Sequence, residues 1–114
     1  NKDNLGVLDH PDAQGYFIGS CGDRMQIELE IVGGKILSAK FLADGCGATL
    51  ACGSMITKMA CAKTLAEAAK ITAAELIAVL DGLPDDHLHC ADLAVMTLRE
   101  AVIDAVEGHR NRVA

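Results

Sequence analysis

Five side chains at bends in this sequence carry donor atoms suited to a soft metal ion or a metal–sulfur cluster. Cys21 stands in Ser20-Cys21-Gly22-Asp23, Cys46 between Gly45 and Gly47, and Cys90 directly after His87-Leu88-His89. A cysteine kept for packing usually sits inside a helix or strand. One flanked by glycine, or set just before a helix, presents an accessible, ionisable sulfur. Asp23 alone is ordinary turn chemistry; what sets it apart is its place two residues from Cys21. His89 alone reads as a surface or capping histidine, and beside Cys90 it becomes a nitrogen ligand. His87 and His10 read as solvent-facing. Cys52 and Cys61 fall nine residues apart on one helix and point to opposite sides of it. Cys52 belongs with the core, and Cys61 takes no role.

The elements that must gather these donors are legible in part. Residues 1–14 read as an extended lead-in, and Tyr16-Phe17-Ile18 as a short edge strand. Met25, Ile27, Leu29 and Ile31 alternate with Gln26, Glu28 and Glu30, the period of a half-buried strand. Gly33-Gly34 turns the chain, and residues 36–43 return as its partner. Pairing residues whose numbers sum to 68 matches Met25 with Ala43, Ile27 with Phe41, Leu29 with Ala39 and Ile31 with Leu37, all apolar. A sum of 67 would set Ile27 against Lys40, because a one-residue slip swaps faces. The favoured register predicts a three-residue loop, Gly33-Gly34-Lys35. It also sets Cys46 opposite Gly22, so the hairpin brings Cys21 and Cys46 to one end.

Beyond the hairpin the pattern is helical. Residues 48–62 put Cys52, Met55, Ile56 and Met59 on one face. Thr64-Leu65-Ala66-Glu67 and Thr72-Ala73-Ala74-Glu75 each have the capping-box pattern, so two short helices follow, the second ended by Gly82 and Pro84. A long helix runs from about Cys90 to Glu107, with an apolar stripe of Val95, Met96, Val102, Ile103 and Val106, and Gly108 closes it. Strands first and helices afterwards give an α+β domain, a small antiparallel sheet of about three strands covered on one face by helices. Cys46 and Cys90 then lie at helix N-termini, where partial positive charge favours thiolate.

Composition narrows the function. The 114 residues form one domain, with a core that must be aliphatic because Tyr16, Phe17 and Phe41 are the only aromatics. A net charge of −6 argues against nucleic acid as partner. The basic cluster His109-Arg110-Asn111-Arg112 suits a helix C-terminus. No apolar run reaches membrane-span length and no signal peptide is visible. Five cysteines, an odd number without disulfide spacing, point to a reducing compartment; the expected location is the cytoplasm of a prokaryote. The missing initiator Met suggests a chain that begins inside a longer one. No Cys-x-x-Cys, phosphate loop or hydrolase triad signature is present.

The motifs Cys21-Gly22-Asp23, Asp44-Gly45-Cys46-Gly47-Ala48 and His89-Cys90 occur in an order and at spacings that resemble the U-type iron–sulfur cluster scaffolds, the IscU family and the N-terminal domain of NifU. Asn1-Lys2-Asp3-Asn4-Leu5-Gly6 and Leu80-Asp81-Gly82-Leu83-Pro84 extend the likeness over nearly the whole chain. The resemblance implies a scaffold rather than a conventional enzyme, with a further helix before Asn1. Sulfur would arrive as a persulfide on Cys90 from a cysteine desulfurase. Iron would bind among Cys21, Asp23, Cys46, His89 and Cys90, and a [2Fe–2S] cluster built there would pass to apo acceptor proteins. A ferredoxin or frataxin-like partner and a homodimer also belong to that picture, as does zinc in the cluster-free form. Asp23, a harder ligand than thiolate, would keep the cluster labile. Two departures stand out. Leu83-Pro84-Asp85-Asp86-His87 replaces the Leu-Pro-Pro-Val-Lys that docks a dedicated Hsp70-type chaperone, so that partner is not expected, and Cys52 falls where serines are usual. No insertion of the SufU branch separates Cys46 from Cys90. A second reading is a zinc-binding structural module built on the same thiols; thiol redox catalysis, with no vicinal pair, is a third.

Overall fold

A computed structural model describes residues 4–19, 22–84 and 87–108. Three strands, β1 (Ala13–Ile18), β2 (Arg24–Val32) and β3 (Lys35–Asp44), form one antiparallel sheet in the order β1-β2-β3. Among the described residues four helices follow: α1 (Gly47–Ala60), α2 (Leu65–Ala69), α3 (Ala73–Val79) and α4 (Leu88–Val106). The α+β reading holds, with α4 packed across β1 and β2, and α1 against β3. Cys21, Asp85, Asp86, Asn1–Asp3 and the basic cluster at 109–112 lie outside the described residues. Among those described, no helix is long and apolar enough to cross a membrane.

The register of the β2–β3 ladder follows the sum of 68 from Arg24–Asp44 through Glu30–Ser38, and then changes. Ile31 pairs with Ile36 instead of Leu37, and Val32 with Lys35, across an irregularity at Glu30/Ile31. The loop is therefore the two residues Gly33-Gly34, both at positive φ (62° and 77°), as a tight twist-matched hairpin turn demands. Two local preferences compete here: apolar pairing wants one register and the Gly-Gly turn wants the other. A bulge at Leu37 satisfies both, leaving Leu37 exposed and Ile36 fully buried.

The lead-in is not merely extended. Residues 4–6 run parallel to β3, with the Gly6 N–H donating to the Phe41 carbonyl (2.8 Å) and the Phe41 N–H to the Asn4 carbonyl (2.9 Å). It also covers Glu28, assigned by alternation to the polar face yet only 6 % exposed. Its carboxylate accepts from the Leu8 N–H (2.8 Å) and the Gln14 side-chain amide (3.1 Å), which makes the burial tolerable.

Both capping boxes form, with Thr64 and Glu67, and Thr72 and Glu75, bonding reciprocally. At the end of α3 the left-handed residue is Asp81 (φ 66°). Its N–H donates to Ala78 and that of Gly82 to Ile77, the two bonds of a Schellman stop.

The stripe expected on α4 is only partly the buried one. Val95 and Val102 are buried, but Met96, Ile103 and Val106 are exposed. The inward face is instead Cys90, Ala91, Leu93, Ala94, Leu98 and Ala101. The reason is proximity: a methyl on Gly15 of β1 would collide with the backbone at Thr97 and Ala101. A helix that close to a strand has room for alanine and not for isoleucine.

Candidate metal centre

The β3–α1 junction delivers the first thiol. Cys46 is the N-cap of α1 with extended backbone (φ −80°, ψ 179°), and its side chain is exposed. No cap hydrogen bond of ordinary geometry reaches the sulfur. The first-turn N–H of Thr49 still favours its charged form, followed by the Thr49 hydroxyl and the Ala48 N–H, and its pKa falls from 9.0 to about 7.

Helix α4 delivers the second thiol. Cys90 is the third residue of that helix, fully buried, whereas the sequence led us to expect an accessible, thiolate-favouring position. Burial pushes its pKa up, and the Thr49 hydrogen bond only partly offsets this. The nearby charges of Cys46 and Asp23 push the same way as burial. Desolvation outweighs the helix terminus here; at exposed Cys46 there is little desolvation to outweigh.

Thr49 joins these groups, and the sequence reading passed over it. Its hydroxyl donates to the Asp23 carboxylate at 2.8 Å and lies 3.6 Å from the Cys46 sulfur and 3.4 Å from the Cys90 sulfur. Fully buried, it holds a fixed place. A Cβ on Gly45 would come within 2.7 Å of its hydroxyl and 3.1 Å of the Asp23 carboxylate, so glycine is what lets the chain pass this pair. The available signal was the interval Cys46 to Thr49, which puts a third-position side chain beside the cap of its own helix.

His89 closes the other side, its Nε2 3.9 Å from Asp23 Oδ2 and 3.7 Å from the Cys90 sulfur. His87, expected to face solvent, is half-buried, with Nδ1 3.7 Å from the Cys46 sulfur. Its ring centroid lies 6.4 Å from that of His89. Asp23, Cys46, His89 and Cys90 thus come together as expected, with Thr49 and His87 added. Two donor triads result, Asp23/His89/Cys90 and Cys46/His87/Cys90, with ligand atoms inside each within 4.8 Å of one another. Such mixed sulfur, nitrogen and oxygen donors suit iron and zinc.

The other two cysteines among the described residues, Cys52 and Cys61, behave as packing residues. Cys52 is fully buried and burial pushes its thiol up to about 12. Cys61 is the half-buried C-cap of α1. His10 is exposed on the lead-in.

Comparison with known proteins identifies the family. The family model for the NifU-like N-terminal domain matches residues 1–111. Two Archaeoglobus fulgidus proteins, the iron–sulfur cluster assembly scaffold proteins IscU 1 and IscU 2, are each 40 % identical over 106 residues, covering 91 % of this chain and 69 % of theirs. The Haemophilus influenzae scaffold protein IscU is 35 % identical over 109 residues, 91 % of this chain and 86 % of its own. A NifU-like N-terminal protein from Brucella abortus shares the fold, with a TM-score of 0.64 at 17 % identity over 99 % of this chain and 89 % of that one. This chain belongs to the NifU-like N-terminal domain family.

Proposed function

We propose that this protein is an iron–sulfur cluster assembly scaffold, on which iron and sulfide are joined as cargo and then handed on. The observation that carries the reading is the meeting of Cys46, Cys90, Asp23 and His89 around one buried hydroxyl at the ends of β3 and α4. Cys21 is proposed as the remaining thiolate, and a [2Fe–2S] cluster as the product. A carboxylate in a ligand set otherwise made of sulfur and nitrogen is the weak member, and supports release to apo acceptor proteins. A cysteine desulfurase would supply the sulfur. In that transfer an acceptor thiolate attacks the terminal sulfur of the donor's persulfide, and the donor cysteine leaves as thiolate. Reduction of the transferred sulfur to sulfide takes two electrons, for which a ferredoxin-like partner is the proposed source. A frataxin-like partner and a homodimer remain part of the proposal.

Two thiols compete to receive the sulfur. The family likeness favours Cys90. Exposure and ionisation favour Cys46 as the first acceptor, with Cys90 only one hydroxyl away. Anaerobic reaction with a desulfurase, followed by mass mapping, separates them: one added sulfur on Cys90 supports the first, on Cys46 the second, and none on any cysteine opposes both.

The scaffold reading itself is tested by reconstitution with iron and sulfide, followed by visible absorption and Mössbauer spectra. A cluster lost in Cys46→Ala and Cys90→Ala, and transferred more slowly by Asp23→Ala, is the expected result. Bound zinc that iron and a sulfur donor fail to displace would favour a zinc-binding structural module instead.

A further inference from the structure

Two donor triads share the Cys90 sulfur, and one of them contains a residue that neither the motifs nor the proposed ligand set includes. In the Cys46/His87/Cys90 triad every ligand atom lies within 4.8 Å of the others, and Cys46 Sγ to His87 Nδ1 is 3.7 Å. A tetrahedral ion with bonds of about 2.3 Å to sulfur and about 2.05 Å to nitrogen holds those two donors about 3.6 Å apart. The separation already present is therefore close to the one an ion would impose, before any side chain moves.

We propose that His87 is a metal ligand, forming with Cys46 and Cys90 a second site for a divalent cation of borderline softness, ferrous iron in the assembly reaction. This deepens the scaffold reading and rests on it for the identity of the cargo. The two triads differ in character. Cys46/His87/Cys90 offers two sulfurs and a nitrogen, and Asp23/His89/Cys90 one sulfur, one nitrogen and a carboxylate oxygen. The first binds a soft or borderline ion more firmly; the second accepts a harder one and releases it more readily. Because Cys90 belongs to both, ions in the two sites are bridged by its sulfur or exchange across it. Thr49, in contact with Cys46, Cys90 and Asp23, is the neighbour that couples them.

The position suits the role. His87 is the N-cap of α4 and makes no side-chain cap bond there. Its ring is half-buried beside exposed Cys46, so an ion can reach the pair from solvent. Asparagine is itself a good N-cap, so His87→Asn keeps the helix start while removing the imidazole.

The experiment is an anaerobic cobalt(II) titration of the full chain, wild type, His87→Asn and His89→Asn. It is read by thiolate-to-cobalt absorption and by the paramagnetically shifted imidazole N–H resonances. Far-UV circular dichroism confirms the fold, with His87→Ala as a second variant. His87→Asn is expected to weaken cobalt binding by at least about tenfold, the low end of what losing even an outer-shell partner costs. It is also expected to delete one shifted imidazole resonance, while His89→Asn keeps that resonance and deletes another. Unchanged affinity, or an unchanged set of imidazole resonances, in folded His87→Asn overturns the proposal. Cluster reconstitution in the wild type keeps the two readings apart. If no cluster forms yet the His87 resonance is present, the scaffold reading fails and the cation site stands. If the cluster forms but His87→Asn behaves as wild type toward cobalt, the His87 site fails alone.

Discussion

Replacing Thr49 by valine removes one hydroxyl from the centre of the site at almost constant shape, and Cys46 should report the loss. In the metal-free protein the Cys46 thiol is lowered from 9.0 to about 7, first by the Thr49 N–H and next by the Thr49 hydroxyl. At pH 7 roughly half of such a thiol is ionised, against about 1 % of one left at 9.0, a gain of about fiftyfold. Thiolate nucleophilicity falls with pKa, at a Brønsted slope of about 0.45, which costs about eightfold over two units. The net expectation is a rate of disulfide exchange at Cys46 about sixfold above that of an unperturbed exposed thiol at pH 7. The sign follows from the thiolate being the reactive form: the rate rises with pH through a midpoint near 7 and levels off above it.

Valine leaves the larger contribution, the backbone N–H, in place. The midpoint in Thr49→Val should therefore move upward yet stay below about 8. The hydroxyl has a single hydrogen, held by Asp23 at 2.8 Å. Ionised Cys46 can draw on it only by taking it from that carboxylate, which caps what the hydroxyl contributes. The assay is pulsed labelling with a small aromatic disulfide from pH 5.5 to 9.5, mapped cysteine by cysteine. Cys46 should react first, buried Cys90 later, and Cys52, pushed up to about 12, last. A wild-type midpoint at or above about 8.5, or one that Thr49→Val leaves in place, would refute the reasoning.

Two further outcomes concern the framework. Gly45→Ala sets a methyl within 2.7 Å of the Thr49 hydroxyl, and Thr49 is too short and too buried to swing aside. Urea unfolding should show a loss of about 1–3 kcal/mol, the usual cost of overpacking, and an unchanged midpoint would mean that the junction has slack. Thr72→Ala removes one half of the capping box that starts α3, whose Leu76 is fully buried. About 1 kcal/mol and a melting temperature about 4 °C lower are expected, and a shift under 1 °C would count against the cap.

Much of the frame was readable because its signals were local. Alternation from Met25 to Ile31 gave the strand, Thr-x-x-Glu gave both short helices, and apolar pairing gave the register as far as Glu30–Ser38. The failures came where a distant element decides. Leu37 pairs with Ile31 by apolar matching alone, but the Gly33-Gly34 turn imposes its own register and gives that place to Ile36. The α4 stripe follows apolar side chains alone, whereas the backbone of β1 at Gly15 selects for small residues on the inward face. Glu28 looked solvent-facing because nothing in the strand shows that residues 4–8 return to cover it.

The site divides along the same line, and that division says where its chemistry is set. Motifs named the donor atoms; His87 had no motif to announce it, and Thr49 only its three-residue interval from Cys46, since the other partners of each lie far along the chain. Thr49 meets Asp23 from 26 residues away and Cys90 from 41, and His87 meets Cys46 from 41. Those contacts exist only once α1 and α4 have packed on the sheet, so the gathering of the donor atoms is a property of the fold, whereas Cys46 is ionised chiefly by the first turn of its own helix. A Cys46 peptide lifted out of the chain would keep its glycines and its sequence motif, yet it would titrate as an ordinary thiol. The same logic orders the two sulfurs. The exposed one is activated by its own helix, and burial restrains the ionisation of the other. A reagent entering from solvent therefore meets the exposed Cys46 sulfur before the buried Cys90 sulfur.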